Sequence, residues 1–184
     1  ADDELHIFIN HWSSRREGKE ISEPKRMKAA QMVRTKIDEL FAKDPETKIV
    51  IMGDFNDDPI NDSFKKVLKT QGKVKKLEEG SLFNPMEKLF RKGVGSLAYR
   101  DKWNLFDQLY FTSNFISKDR KTYSFWKVNV YNPSYLLDPK GRYKGYPLRT
   151  YAGGSYIGGY SDHFPVYMYL IRESPPLTPP EEGD

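Results

Sequence analysis

Four apolar residues in a row, Ile49-Val50-Ile51-Met52, run straight into Gly53-Asp54-Phe55-Asn56-Asp57-Asp58-Pro59, and this segment constrains the fold more than any other. A strand with one wet face alternates, so an unbroken apolar run predicts a parallel strand covered on both faces. Upstream, Leu5-His6-Ile7-Phe8-Ile9 predicts a strand over about residues 5–10. Between the two, Met27, Ala30, Val33, Ile37, Leu40 and Phe41 keep the three- and four-residue spacing of a helix, which Asp44-Pro45 ends. Ser22 is placed to cap that helix and Pro24 to sit in its first turn. Strand, helix, strand is the parallel crossover unit, which brings the carboxyl ends of both strands to one sheet edge. His11 and Asp54 are therefore expected side by side.

Beyond this unit, a short helix is expected over residues 61–70, with Phe64, Val67 and Leu68 on its packed face. Residues 72–95, rich in lysine and glutamate with scattered glycines, read as irregular or weakly helical and exposed. Strand patterns follow at about 96–100, 105–112, 123–131 and 164–171. The loop 132–160 carries Lys140, Arg142, Lys144 and Arg149 among tyrosines and glycines, and is too long to be a mere connector. One domain over residues 1–172 and a Pro-rich flexible tail over 173–184 suit a chain of 184 residues that is 38% hydrophobic.

The 30% charged content and the lack of any apolar run near twenty residues exclude a helical membrane span and predict a soluble protein. Without cysteine there is no thiolate metal site, so a metal must be held by oxygen or by one of three histidines. A net charge of +4 lends an anionic substrate weak support. The chain opens on Ala-Asp-Asp-Glu at the edge of a core strand, with neither Met nor a signal-peptide pattern, so an upstream segment is expected. Localisation is left open, export included.

Four short segments can carry chemistry. In Gly53-Asp54-Phe55-Asn56, a carboxylate and a carboxamide two residues apart are aimed at one point while Phe55 turns away. Such a pair can orient water and hold a phosphoryl oxygen, although the same residues also make ordinary turns. Ser161-Asp162-His163, just before the last apolar strand, pairs a possible cation ligand, Asp162, with an imidazole that can donate to phosphate or act as a base. Asp107 interrupts Leu105-Phe106-Asp107-Gln108-Leu109-Tyr110-Phe111, where a carboxylate is costly unless satisfied, and His163 is the partner expected to satisfy and be oriented by it. His11 can protonate a leaving group, and Arg15 and Arg16 can clamp phosphate; packed histidine and solvated loop are the alternatives.

In this order, Asn10-His11-Trp12, Gly53-Asp54-Phe55-Asn56, Asp107-Gln108-Leu109 and Ser161-Asp162-His163 resemble the endonuclease/exonuclease/phosphatase superfamily, the deoxyribonuclease I-like group. The resemblance implies an α/β fold that is part of a four-layer α/β/β/α sandwich, with the amino-terminal strands absent. It implies hydrolysis of a phosphoester by water with Mg²⁺, or Mn²⁺ or Ca²⁺, on a nucleic acid, a phospholipid head group or a small phosphodiester. Asp54 resembles the carboxylate that positions or deprotonates water, Asn56 its phosphate-orienting companion, Asp162 the metal-side carboxylate, His163 the phosphate-contacting histidine oriented by Asp107, and His11 the leaving-group donor. Family members carry upstream an Asn and then a metal-binding Glu that have no counterpart here. The expectation is therefore that an amino-terminal half is missing, and the alternative is a non-catalytic fragment or anion-binding module.

Overall fold

A computed structural model describes residues 4–78 and 80–174. In chain order, β1 (Leu5–His11), α1 (Lys19–Phe41) and β2 (Lys48–Asp54) are followed by a π-helical turn at Ser63–Val67. Next come β3 (Leu82–Phe83), α2 (Met86–Phe90), β4 (Leu97–Tyr99), β5 (Lys102–Asn104), β6 (Asp107–Thr112) and β7 (Ser124–Val130). The small strands β8 (Tyr151–Ala152) and β9 (Ser155–Tyr156) precede β10 (Val166–Ile171). The main sheet has the order β1-β2-β6-β3, with β1 parallel to β2 and β6 antiparallel to it. Strands β7 and β10 pair antiparallel in a second sheet.

The apolar run of β2 explains the layering. Ile49 and Ile51, both fully buried, face α1, where they meet Ala30 and Ile37 together with Trp12, Phe55, Phe64 and Tyr110. Val50 points the other way and joins Leu109 and Phe111 against Phe125, Val128, Val166, Met168 and Leu170 of the second sheet. Three layers result, helix on sheet on sheet, and the crossover register sets His11 opposite Asp54 at the same edge.

Several local expectations are corrected. Helix α1 starts at Lys19, so Ser22 lies inside it and Gly18 precedes it at φ 110°. The Ser22 hydroxyl donates to the Gly18 carbonyl at 2.7 Å and accepts from Arg26 Nη1 at 2.6 Å, so it serves a buried arginine rather than a helix end. Pro24 lies beyond the first turn on an exposed face. Residues 72–95 are not uniformly exposed: Leu82, Phe83, Asn84, Met86 and Glu87 are buried. Gln71 and Asn84 are cross-linked through their backbones, and Glu87 is neutralised by Lys65 and Arg91, each at 2.8 Å. Average composition hid that core because its lysines lie on the surface side. Nearly all of the tail lies outside the described residues. Among those described, no helix is long and apolar enough to cross a membrane.

Candidate active site

The Gly-Asp-Phe-Asn turn is fixed from below by its aromatic residue. Phe55 is fully buried, with its ring centroid 4.9 Å from Trp12, 5.4 Å from Phe64 and 5.3 Å from Tyr110. Each such contact contributes about 0.5–1.5 kcal/mol beyond area burial. Burying Phe55 sets its two polar neighbours, half-buried Asp54 and buried Asn56, along the wall of a cavity. Asn56 adopts φ 50°, a left-handed conformation that Asn tolerates better than most residues, and its backbone N–H donates to Asp54 Oδ1 at 2.9 Å. Its side-chain amide donates to the Trp12 carbonyl at 3.1 Å, which leaves one amide hydrogen uncommitted. Gly53 has no alternative: a Cβ there would lie 1.9 Å from the Asn10 carbonyl oxygen, at φ 139°.

His11 Nε2 lies 3.6 Å from Asp54 Oδ2, as the crossover predicted, and its ring is largely exposed. His163 Nδ1 lies 2.7 Å from Asp107 Oδ2, the pairing expected from the isolated carboxylate in β6. Ser96, which the sequence did not single out, donates its hydroxyl to the same oxygen at 2.6 Å and accepts the Asp107 N–H at 3.2 Å. Its carbonyl also receives the Phe164 N–H at 2.7 Å, so one buried serine holds Asp107 and the backbone next to His163. Only its adjacency in space identifies it.

The electrostatics follow from partial burial and crowded charge. For Asp54, burial pushes the carboxyl pKa up and the Asp107 charge adds to this, against the Asn56 N–H and the two histidines. For His163, burial disfavours the imidazolium, but the hydrogen bond and charge of Asp107, with Asp54 and Asp162 behind it, outweigh this and raise the pKa. Asp107 therefore holds His163 toward the charged form, while burial holds the neighbouring Asp54 above the ordinary carboxylate range.

Asp54, Asn56, His11, Asp162 and His163 line one cavity of about 870 Å³. Its rim is basic, carrying Arg15, Arg16, Lys19, Arg100, Lys102 and Arg149. The two arginines expected to bind substrate are placed differently. Arg16 is exposed at the mouth, whereas Arg15 holds the turn itself. Its guanidinium donates to the Asn56 carbonyl at 2.7 Å, Asp57 at 2.8 Å and Asn61 at 3.1 Å, and lies 4.4 Å over the Phe106 ring. Arg26, fully buried with Nε 2.8 Å from Asp57, supports the same turn from beneath, and Gln108 holds the Asp57 carbonyl at 2.7 Å. The Asp57-Asp58 stretch of the motif is thus structural. Helical periodicity could not single out Arg26, because it reads as one more polar residue of α1.

A divalent cation is implied by the resemblance, and the donor set fits a hard one. Asp54, Asp107 and His163 place ligand atoms within 4.8 Å of one another. Asp107 and His163 are engaged with each other, and Asp162 lines the same cavity as a further carboxylate outside this cluster, an oxygen-rich surrounding of the kind hard cations take.

Residues 1–172 match the Endonuclease/Exonuclease/phosphatase family. Among solved structures, the chain resembles the mannosyl-6-phosphatase Bt3783 of Bacteroides thetaiotaomicron VPI-5482 at 19% identity and a TM-score of 0.51, covering 90% of this chain and 50% of that one. A humanized TDP2 of D. rerio with 14 mutations gives 18% identity and a TM-score of 0.46, with 91% and 52% covered. The chain thus spans about half the length of these structures, and it shares the deoxyribonuclease I-like α/β fold. No curated protein matches it.

Proposed function

The chain belongs to the endonuclease/exonuclease/phosphatase family, and on that premise we propose that the intact protein hydrolyses a phosphoester by attack of water at phosphorus, assisted by a divalent cation. The observation that carries this reading is the convergence of His11, Asp54, Asn56 and the Asp107-oriented His163 on one basic-rimmed cavity. With its pKa raised, the Asp54 carboxylate is the better proton acceptor for water. Since Nδ1 is tied to Asp107, His163 has Nε2 left, and an imidazolium Nε2–H donates to a phosphoryl oxygen and meets the charge that grows there. Asn56 offers its remaining amide hydrogen to a second oxygen. His11, on the solvent side of Asp54, is the group we assign to protonating the departing oxygen. Asp162 is the carboxylate we assign to the cation, which when bound supplies charge neutralisation to the phosphoryl group.

The test uses the longest natural form of the protein and bis(p-nitrophenyl) phosphate with Mg²⁺. Asp54→Ala and His163→Ala are each expected to lower turnover by about 10²–10⁴-fold. Undiminished turnover in both variants would overturn the assignment. The alternative, an anion-binding module without catalysis, would show phosphate binding to the same form with no turnover at all.

A further inference from the structure

Beside the large cavity lies a second one of about 310 Å³, and the two share a wall formed by Tyr99, Arg100 and Arg149. Buried Ala98 and Pro147 contribute to it, and Tyr143, Tyr146 and Ile157 add further apolar surface. Three arginines line it, Arg100, Arg142 and Arg149, and none is ion-paired with a carboxylate among the described residues. Arg100 and Arg142 lie over the rings of Tyr99 and Tyr143 at 5.3 and 5.8 Å. The two carboxylates of this pocket are already engaged. Asp101 accepts the Tyr146 hydroxyl at 2.6 Å, and Asp138 accepts the Lys140 N–H at 3.1 Å. With three guanidinium groups against these two carboxylates, the net charge of the pocket lining is positive.

The pocket is also preformed. Although residues 132–160 have little regular structure, their backbone is cross-tied: Asp138 N–H to the Tyr146 carbonyl at 2.8 Å, Leu148 to Leu136 at 2.8 Å, and Gly159 to Arg149 at 3.0 Å. Gly159 presses so closely on this segment that a Cβ would lie 2.0 Å from the Leu148 carbonyl oxygen. A pocket that exists before its ligand arrives does not charge the ligand for ordering the loop. Its size admits one or two rings but no polymer.

Resting on the reading of the large cavity as a phosphoester site, we propose that the side pocket receives the leaving group and selects a planar ring borne by the phosphate ester. Tyrosine faces and guanidinium planes stack on such rings, and Arg100 and Arg149 sit where the ester joins ring to phosphorus. An alkyl leaving group would use neither.

Phosphonates, whose carbon–phosphorus bond is not a phosphoester, separate binding from turnover. Titration calorimetry of the protein should give phenylphosphonate at least tenfold tighter binding than methylphosphonate. Ala152→Trp or Ile157→Trp, substitutions at exposed positions that fill the pocket, should erase that gap and leave inorganic phosphate binding unchanged. Equal affinity for the two phosphonates in the unmodified protein, or a gap that survives both substitutions, overturns the proposal while leaving the phosphoester reading intact. If the unmodified protein binds no inorganic phosphate, the phosphoester reading itself falls, and this proposal with it.

Discussion

With Nδ1 of His163 committed to Asp107 at 2.7 Å, the ring's tautomer and its charge both come under the control of one carboxylate, itself fixed by Ser96 at 2.6 Å. Replacing Asp107 by Asn keeps the shape and removes the charge, so burial is then opposed mainly by Asp54 and Asp162. The His163 midpoint, followed by proton NMR in metal-free buffer, is expected to lie above the ordinary 6.5 in the unmodified protein and to fall in Asp107→Asn. The linked stability has a definite sign. A histidine with a raised folded pKa contributes stability that is fully present below its unfolded pKa and is lost as pH rises through the folded one. Chemical denaturation should therefore show the unmodified protein's advantage over Asp107→Asn largest below about pH 6.5 and shrinking above it. An advantage that grew with pH would contradict the pairing.

Among the elements, β2 and the turn after it join the core to the chemistry. Its apolar run is sandwiched between α1 and the second sheet, and the strand ends where Phe55 plunges into the aromatic cluster. Gly53 permits β1 to approach at that point, since a Cβ would meet the Asn10 carbonyl oxygen at 1.9 Å. Gly53→Ala is expected to destabilise the protein by about 3 kcal/mol or more, from overpacking against rigid backbone together with strain at positive φ. Because Asn10 precedes His11 directly, the same change should also move His11 away from Asp54. A denaturation midpoint equal to that of the unmodified protein would refute this account of the close approach. The start of α1, by contrast, is not legible in the sequence, because Ser22 looks like a cap but is recruited by Arg26, whose burial depends on Asp57 more than thirty residues away.

For the molecule as a whole, a net charge of only +4 understates how the charge is arranged. Besides the committed Arg15, five exposed basic residues ring the large cavity, and they come from the loop after β1, the start of α1, the hairpin β4–β5 and the loop 132–160. Exposed charges of this kind act over roughly the Debye length, about 10 Å at 0.1 M salt, and are screened beyond it. Inorganic phosphate binding is therefore expected to weaken several-fold between about 50 and 200 mM NaCl, the shrinking screening length being the cause. Calorimetry showing no salt dependence would mean that the rim plays no part in capturing anions.

The sequence by itself determined the crossover unit, because hydrophobic periodicity and the turn residues after β2 are local signals, and a parallel crossover admits one arrangement of its strand ends. From that alone His11 and Asp54 could be set at one edge. The order of four short motifs also announced the family, and the cost of leaving Asp107 unsatisfied pointed to His163. Tertiary structure alone decided what distant residues do for one another. Ser96 fixes the Asp107 that orients His163, Arg15 holds the turn rather than substrate, and Arg142 and Arg149 border a pocket beside the candidate site. These roles depend on contacts between segments far apart in the chain, and no periodicity or composition encodes which polar side chain meets which.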